Sequence, residues 1–192
     1  MEFSAVISRR RSIRKFQQQD VSRQAMEKLL QAAILAPSGK NRQPWQFIVL
    51  RGTYPEKLAG ILTAKVEKLT EIDFPTGSAL NSARCIAQAA AVVVVYNPKW
   101  KPDANRNGRR RYIYSVDTQS VGAAIQNMHL AAVDMGLGGL WICDVFYAEP
   151  EISAWLERED ELVAAFAVGL ADENPPARPR NAMEDITRWL ED

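Results

Sequence analysis

Arg9-Arg10-Arg11-Ser12-Ile13-Arg14-Lys15-Phe16 is the stretch around which the rest of the chain is read. Five of the seven residues from 9 to 15 are cationic, in a chain otherwise balanced at 24 Lys+Arg against 23 Asp+Glu. Like charges placed side by side repel unless solvent or an anion relieves them. The guanidinium fork matches phosphate or carboxylate oxygens two at a time, and the Ser12 hydroxyl adds one more donor. The run suits a phosphorylated ligand, and it also suits a solvated basic turn. Segments further along bear on that choice.

Composition narrows the classes. The chain has 192 residues, 47% hydrophobic and 24% charged, the make-up of one globular domain (residues 1–192) with a real core. A net charge of +1 gives no general pull towards nucleic acid or membrane. The longest apolar run, residues 89–96, is eight residues and far too short for a membrane span. Residues 3–7 are too few, and too broken by Ser4, for a secretory signal. The two cysteines, Cys85 and Cys143, make no disulfide framework, and no Cys or His spacing suits a metal. The expected compartment is a reducing cytoplasm.

Periodicity places the elements. Residues 1–8 suit a short helix with Phe3, Val6 and Ile7 on one face. Ser22 is a candidate N-cap for a helix to about residue 36, ended by Pro37-Ser38-Gly39-Lys40-Asn41. A strand follows Pro44 over 46–50, and Thr53-Tyr54-Pro55-Glu56 reads as a capping box opening a helix to about residue 68. Residues 71–78 are a loop and 81–90 a helix. The β-branched run 91–96 predicts a strand covered on both faces. Residues 99–111 are polar, basic and aperiodic, which predicts a long loop. Residues 117–135 form the strongest helix, with Val121, Ala124, Ile125, Met128, Ala131, Ala132 and Met135 on one face and Gly136 as terminator. Strands at 140–143 and 162–170, a helix at 149–156, a Pro-rich connection at 174–179 and a helix at 182–190 complete the chain. Strands and helices do not strictly alternate, and no Gly-x-Gly-x-x-Gly follows a strand. A doubly wound nucleotide-binding sheet and a P-loop are disfavoured.

Protein-based catalysis has little to work with. The single histidine, His129, lies mid-helix, and no second histidine is available to make a Cys143–His pair or a serine triad. Asp117, Asp134, Asp144, Glu149 and Glu151 show no paired-carboxylate spacing. An enzyme of this composition would leave the hard chemistry to a bound cofactor. Three segments read as parts of one pocket. They are the basic run, the donor-rich loop Pro37-Ser38-Gly39-Lys40-Asn41-Arg42-Gln43-Pro44-Trp45, and Gly136-Leu137-Gly138-Gly139-Leu140-Trp141-Ile142-Cys143. The three glycines of the last would allow close approach to a flat ligand.

These segments, with Arg178-Pro179-Arg180 near the end, resemble the FMN-dependent nitroreductase family in order and spacing, over essentially the whole chain. The resemblance implies an α+β fold: a central, mostly antiparallel sheet flanked by helices, in an obligate homodimer with two shared FMN sites. Arg10, Arg11 and Ser12 would serve the phosphate and ribityl chain, joined by Arg178 and Arg180, and Arg14 would reach the pyrimidine edge. Pro37, Ser38, Gly39 and Asn41 of the other chain would cover the ring. Leu140, Trp141 and Cys143 would lie along it, with the Cys143 backbone N–H at flavin N5. Asn81 matches a further ring contact by approximate spacing.

The implied activity is ping-pong transfer of two electrons from NADH or NADPH to an electron-poor small molecule, a nitroaromatic or quinone. A guanidinium at the pyrimidine edge suits this, because it stabilises negative charge arising on reduction. Many members read Trp-Ile-Gly where this chain reads Trp141-Ile142-Cys143-Asp144, so the pocket is expected to be narrower and more negative. Specialised branches such as reductive dehalogenases and flavin-fragmenting enzymes stay open, as does an FMN-binding carrier or regulator without turnover. A nucleic-acid module built on residues 9–15 and 106–111 is opposed by the neutral charge balance and the lack of any such motif.

Overall fold

Ala91–Asn97 forms strand β2, and each of its residues is buried. Such a strand needs a partner on both edges and cover on both faces. This computed structural model describes residues 2–102, 104–105 and 107–191. In it β1 (Gln46–Arg51), β2, β3 (Gly138–Ile142) and β4 (Glu161–Gly169) make one sheet in the order β1-β2-β4-β3, with every pair antiparallel. The chain is therefore α+β, with β2 and β4 central and β3 at an edge.

Alternation along the strands sends side chains to two apolar layers. Val92, Val94, Tyr96, Leu140, Ile142, Ala165 and Ala167 pack with helices α3 (Tyr54–Thr70), α4 (Ala79–Gln88) and α6 (Glu149–Trp155). Ala91, Val93, Val95, Ala164, Phe166 and Val168 pack with α2 (Arg23–Ile34) and α5 (Arg109–Asp134). Each fully buried Val, Leu, Ile or Phe adds about 1.5–3 kcal/mol relative to exposure. Helix α1 (Phe3–Arg9) lies against α5, and a last short helix, α7 (Met183–Ile186), is exposed throughout.

Several expectations hold at the level of single bonds. The Ser22 hydroxyl accepts from the Ala25 N–H at 3.1 Å and caps α2. Beyond α5, the Leu137 N–H reaches the Ala132 carbonyl at 2.8 Å and the Gly136 N–H the Val133 carbonyl at 3.0 Å, with Gly136 at φ 75°. That pair of bonds is a Schellman terminus.

Others are corrected. The predicted loop at 99–111 is shorter, because Arg109, Arg110 and Arg111 form the first turn of α5. The Arg110 guanidinium lies 5.5 Å from the Trp100 ring centre, and the Tyr114 hydroxyl donates to Glu161 at 2.9 Å, which holds this turn on the body. Asp103 and Arg106 lie outside the described residues. Thr53 has helical backbone angles and makes no side-chain cap, so the capping box is not formed. The closing helix contracts from residues 182–190 to Met183–Ile186, because its residues are exposed and no packed face sustains it.

The sheet edge positions the basic run. Ser12 makes a parallel bridge to Gly139, and the Ile13 N–H donates to the Gly139 carbonyl at 3.0 Å. Phe16 pairs with Ala171, just past β4. Ile13 and Phe16 are buried, which pins residues 12–16 as an extended ribbon while Arg14 and Lys15 stay exposed. The apolar residues interleaved in the run thus decide which way its cations face.

Candidate functional site

A cavity of about 620 Å³ opens where the two ends of the chain meet. Ser8, Arg10, Arg11, Ser12 and Arg14 line one side, and residues 175–180, including Arg178 and Arg180, line the other. No acidic side chain lines it among the described residues. Burial, then the charges of Arg180 and Arg11, push Arg10 below its ordinary value. Converging cations with no carboxylate among them favour a bound anion. Local bonds shape the cluster. Arg11 Nη1 donates to the Ser8 carbonyl at 2.7 Å, and Arg14 Nη1 to the Ser12 carbonyl at 3.1 Å. The Arg14 backbone N–H donates to the Glu173 carboxylate, tying the ribbon to the C-terminal segment.

His129 of α5 lies beneath this ribbon, only 3% exposed. Its Nε2 is 3.1 Å from the Arg11 carbonyl, and its ring meets Phe166 edge-on at 5.2 Å between centres. Burial and the nearby Arg10 charge lower its pKa from 6.5 to about 4, against the pull of the Arg11 and Gly139 carbonyls. The neutral ring is the stable form near pH 7. Its place on the buried face was legible in the spacing of Ile125, Met128, His129 and Ala132; its partner was not.

At the other end of β3, Trp141 and Cys143 are exposed while Leu140 turns its side chain into the core, leaving only its backbone to the edge. Cys143 falls just past the strand rather than inside it. Beyond the Ser12 bridge no strand covers this edge among the described residues. Burial and the Asp144 charge push the Cys143 thiol up, so the thiol stays protonated near pH 7. Asp144 accepts from Ser82 at 2.6 Å and Ser78 at 3.2 Å. It therefore faces the start of α4, and its charge is met by two hydroxyls there. Asn81 is exposed on the same helix and does not line the arginine cavity. A second cavity of about 540 Å³ lies beside Cys143, with Tyr114, Trp141, Phe146 and Gly122 in its wall.

The glycines serve the fold more than an open ligand face. Gly136 ends α5, and a Cβ on Gly139 would fall 2.4 Å from Phe166 and 3.0 Å from His129. That vacant space holds the chain's own rings.

The remaining expected residues sit apart. Gly39 lies against α5, its N–H 3.4 Å from Ser120 Oγ, and none of Pro37, Ser38, Gly39 and Asn41 lines the arginine cavity. A Cβ on Gly39 would fall 2.2 Å from Val116, so only glycine allows this approach. Lys40, Asn41 and Gln43 all have left-handed backbones, at φ 53°, 52° and 46°. Each costs about 1–2 kcal/mol and persists only where its surroundings enforce it. Here the Ser38 hydroxyl accepts from the Gln43 N–H at 3.0 Å. Arg42 forks onto Asp117 at 2.8 and 2.9 Å, and Trp100 Nε1 adds a third bond to the same fully buried carboxylate at 2.9 Å. The Asp117 bond raises Arg42 above its ordinary value. This clamp escaped the sequence reading because Arg42 and Asp117 lie 75 residues apart.

Residues 7–170 match the model of the Nitroreductase family. The chain belongs to the nitroreductase family. A provisionally named NADH dehydrogenase/NAD(P)H nitroreductase of Archaeoglobus fulgidus is 35% identical over 137 residues, which is 71% of this chain and 64% of that protein. The chain spans 60–64% of the length of the archaeal relatives it matches. Among solved nitroreductase-like folds, a BluB-like flavoprotein from Clostridium difficile 630 superposes with TM-score 0.81, at 30% identity and over the full length of both chains. A provisionally named nitroreductase from Desulfovibrio desulfuricans, crystallised in complex with FMN, gives TM-score 0.76 at 26% identity, over 100% of this chain and 98% of that one.

Proposed function

We propose that this nitroreductase-family chain, as a single domain over residues 1–192, is an FMN-dependent oxidoreductase. It would move two electrons from NADH or NADPH to an electron-poor small molecule such as a nitroaromatic or a quinone. The carrying observation is the cavity where Arg10, Arg11, Arg14, Arg178 and Arg180 converge with Ser12 and where, among the described residues, no carboxylate joins the lining. A phosphate-bearing cofactor fits that charge, and the uncovered edge of β3 offers backbone groups to a flat ring. Family membership and the FMN-bound structural relative support the same reading.

When bound, FMN would supply the two-electron chemistry. Arg10, Arg11, Ser12, Arg178 and Arg180 would hold its phosphate and ribityl chain. Arg14 would stabilise negative charge arising on the ring. The Leu140, Trp141 and Cys143 backbone and Asn81 would orient the ring. The aromatic-lined cavity beside Cys143 suits a flat acceptor. The Pro37, Ser38, Gly39 and Asn41 loop would reach the ring of a partner protomer, a reading supported by its distance from the arginine cavity of its own chain. Exposed Leu35, Tyr112 and Val116 are apolar side chains that such a homodimer would cover. With both cysteines free, the compartment proposed is the cytoplasm.

The test is anaerobic mixing of FMN-loaded protein with NADH or NADPH, followed by addition of a nitroaromatic or quinone. Rapid bleaching and recovery of the flavin absorbance are expected. Flavin that binds but does not bleach would make the protein a carrier, and no flavin binding would overturn the proposal.

A further inference from the structure

The proposed function gives His129 no task, yet its surroundings are built around it. The Arg11 carbonyl can only accept, so the Nε2 at 3.1 Å is the donor, and the ring is fixed as the Nε2–H form. Gly139 leaves the space that the ring and Phe166 fill. The Gly139 carbonyl in turn accepts from the Ile13 N–H at 3.0 Å. Ser12 is thus flanked by two tethered residues, Arg11 through His129 and Ile13 through Gly139. Both tethers lead to the layer under the arginine cavity, where Arg10, Arg11 and Ser12 form one wall.

We infer that His129 is a positioning residue of the anion cradle: by holding the Arg11 carbonyl, its Nε2–H sets the backbone from which Arg10 and Ser12 reach the phosphate. This rests on the reading of that cavity as the FMN phosphate site. A histidine kept only for its volume would tolerate an apolar replacement, whereas a tether needs a donor at the Nε2 position. His129→Gln carries an amide donor to about the same reach. His129→Leu keeps bulk without a donor, and His129→Asn carries a donor that stops short.

The experiment titrates apoprotein with FMN and with riboflavin, which lacks the phosphate, and compares the ratio of the two dissociation constants. A general loss of stability would shift both ligands together and leave that ratio unmoved. His129→Leu should weaken FMN about tenfold, as loss of one buried hydrogen bond implies, with riboflavin little changed. His129→Gln should restore most of the ratio. Equal losses for both flavins, an unchanged ratio, or a His129→Gln variant as poor as His129→Leu would overturn the inference. If His129→Leu does not fold, His129→Asn against His129→Gln makes the same comparison. If the wild type binds neither flavin, the FMN reading fails, and the same variants are titrated with inorganic phosphate. A tenfold loss in the variant without a reaching donor then sustains the positioning role, and no loss ends it.

Discussion

Arg10 and Arg14 bound a five-residue stretch and differ in what surrounds them. Arg10 is crowded by Arg180 and Arg11, so an anion gains most there. Arg10→Ala should weaken FMN by roughly ten- to a hundredfold, as loss of a charge-assisted bond of about 1.5–3 kcal/mol implies. Arg14 is exposed and bonded locally, and Arg14→Ala should slow flavin reduction more than it weakens binding. Fluorescence titration and anaerobic stopped-flow measurements on the two variants separate these effects; identical behaviour would refute the division of roles. His129 makes a second prediction. Its folded pKa of about 4 lies below the ordinary 6.5, so between those values the unfolded chain binds a proton that the folded chain refuses. Stability therefore falls as pH drops through that window, by about 2 kcal/mol between pH 7.5 and pH 5. Urea midpoints at the two pH values should show this excess loss in the wild type and not in His129→Gln. The residue types at the arginine cavity were legible because clustered like charge is locally visible. The tether from His129 was not, since its partner stands 118 residues away.

The loop Gly39–Asn41 and helix α5 are joined by a carboxylate that no solvent reaches. Asp117→Ala would leave the Arg42 fork to solvent and the buried Trp100 Nε1 without its acceptor, at a cost of about 1–3 kcal/mol. Chemical denaturation should show that loss, and a change below about 1 kcal/mol would mean solvent replaces the clamp. Helix α5 also begins with three arginines, and the start of a helix disfavours positive charge. A role in attracting the phosphates of NAD(P)H or an acidic substrate would account for their presence, and so would solvation of a charged surface. Attraction through exposed charges weakens as the screening length falls from about 10 Å at 0.1 M salt to 3 Å at 1 M. KM for NADPH should therefore rise with salt, and neutralising Arg109, Arg110 and Arg111 together should remove most of that slope without changing FMN content. Equal slopes in both proteins would leave these arginines as a solvated surface. The sequence hid this turn because residues 109–116 carry no buried stripe. A formed helix extends backwards cheaply, one hydrogen bond per residue, without needing one.

At the scale of the whole molecule, the separation of the arginine cavity from the Pro37–Asn41 loop within one chain leads to a prediction about assembly. The protein should sediment as a dimer carrying FMN, and a monomer holding flavin at full occupancy would exclude the shared site. The sequence implied the α+β class through its resemblance to the nitroreductase family, and by itself it determined the buried β2, the cap at Ser22 and the terminus at Gly136. Each depends on periodicity or on bonds within a few residues, so local chemistry encodes it. It also marked the two arginine clusters and the donor-rich loop through composition and motif. Only the tertiary structure decided that residues 8–14 and 175–180 close on one cavity, that Asp144 turns towards Ser78 and Ser82, and that Gly139 makes room for His129. These outcomes depend on how β3 and β4 pair and on what α5 packs against. Contacts between separate elements are set by the closure of the whole core, and no local pattern records them.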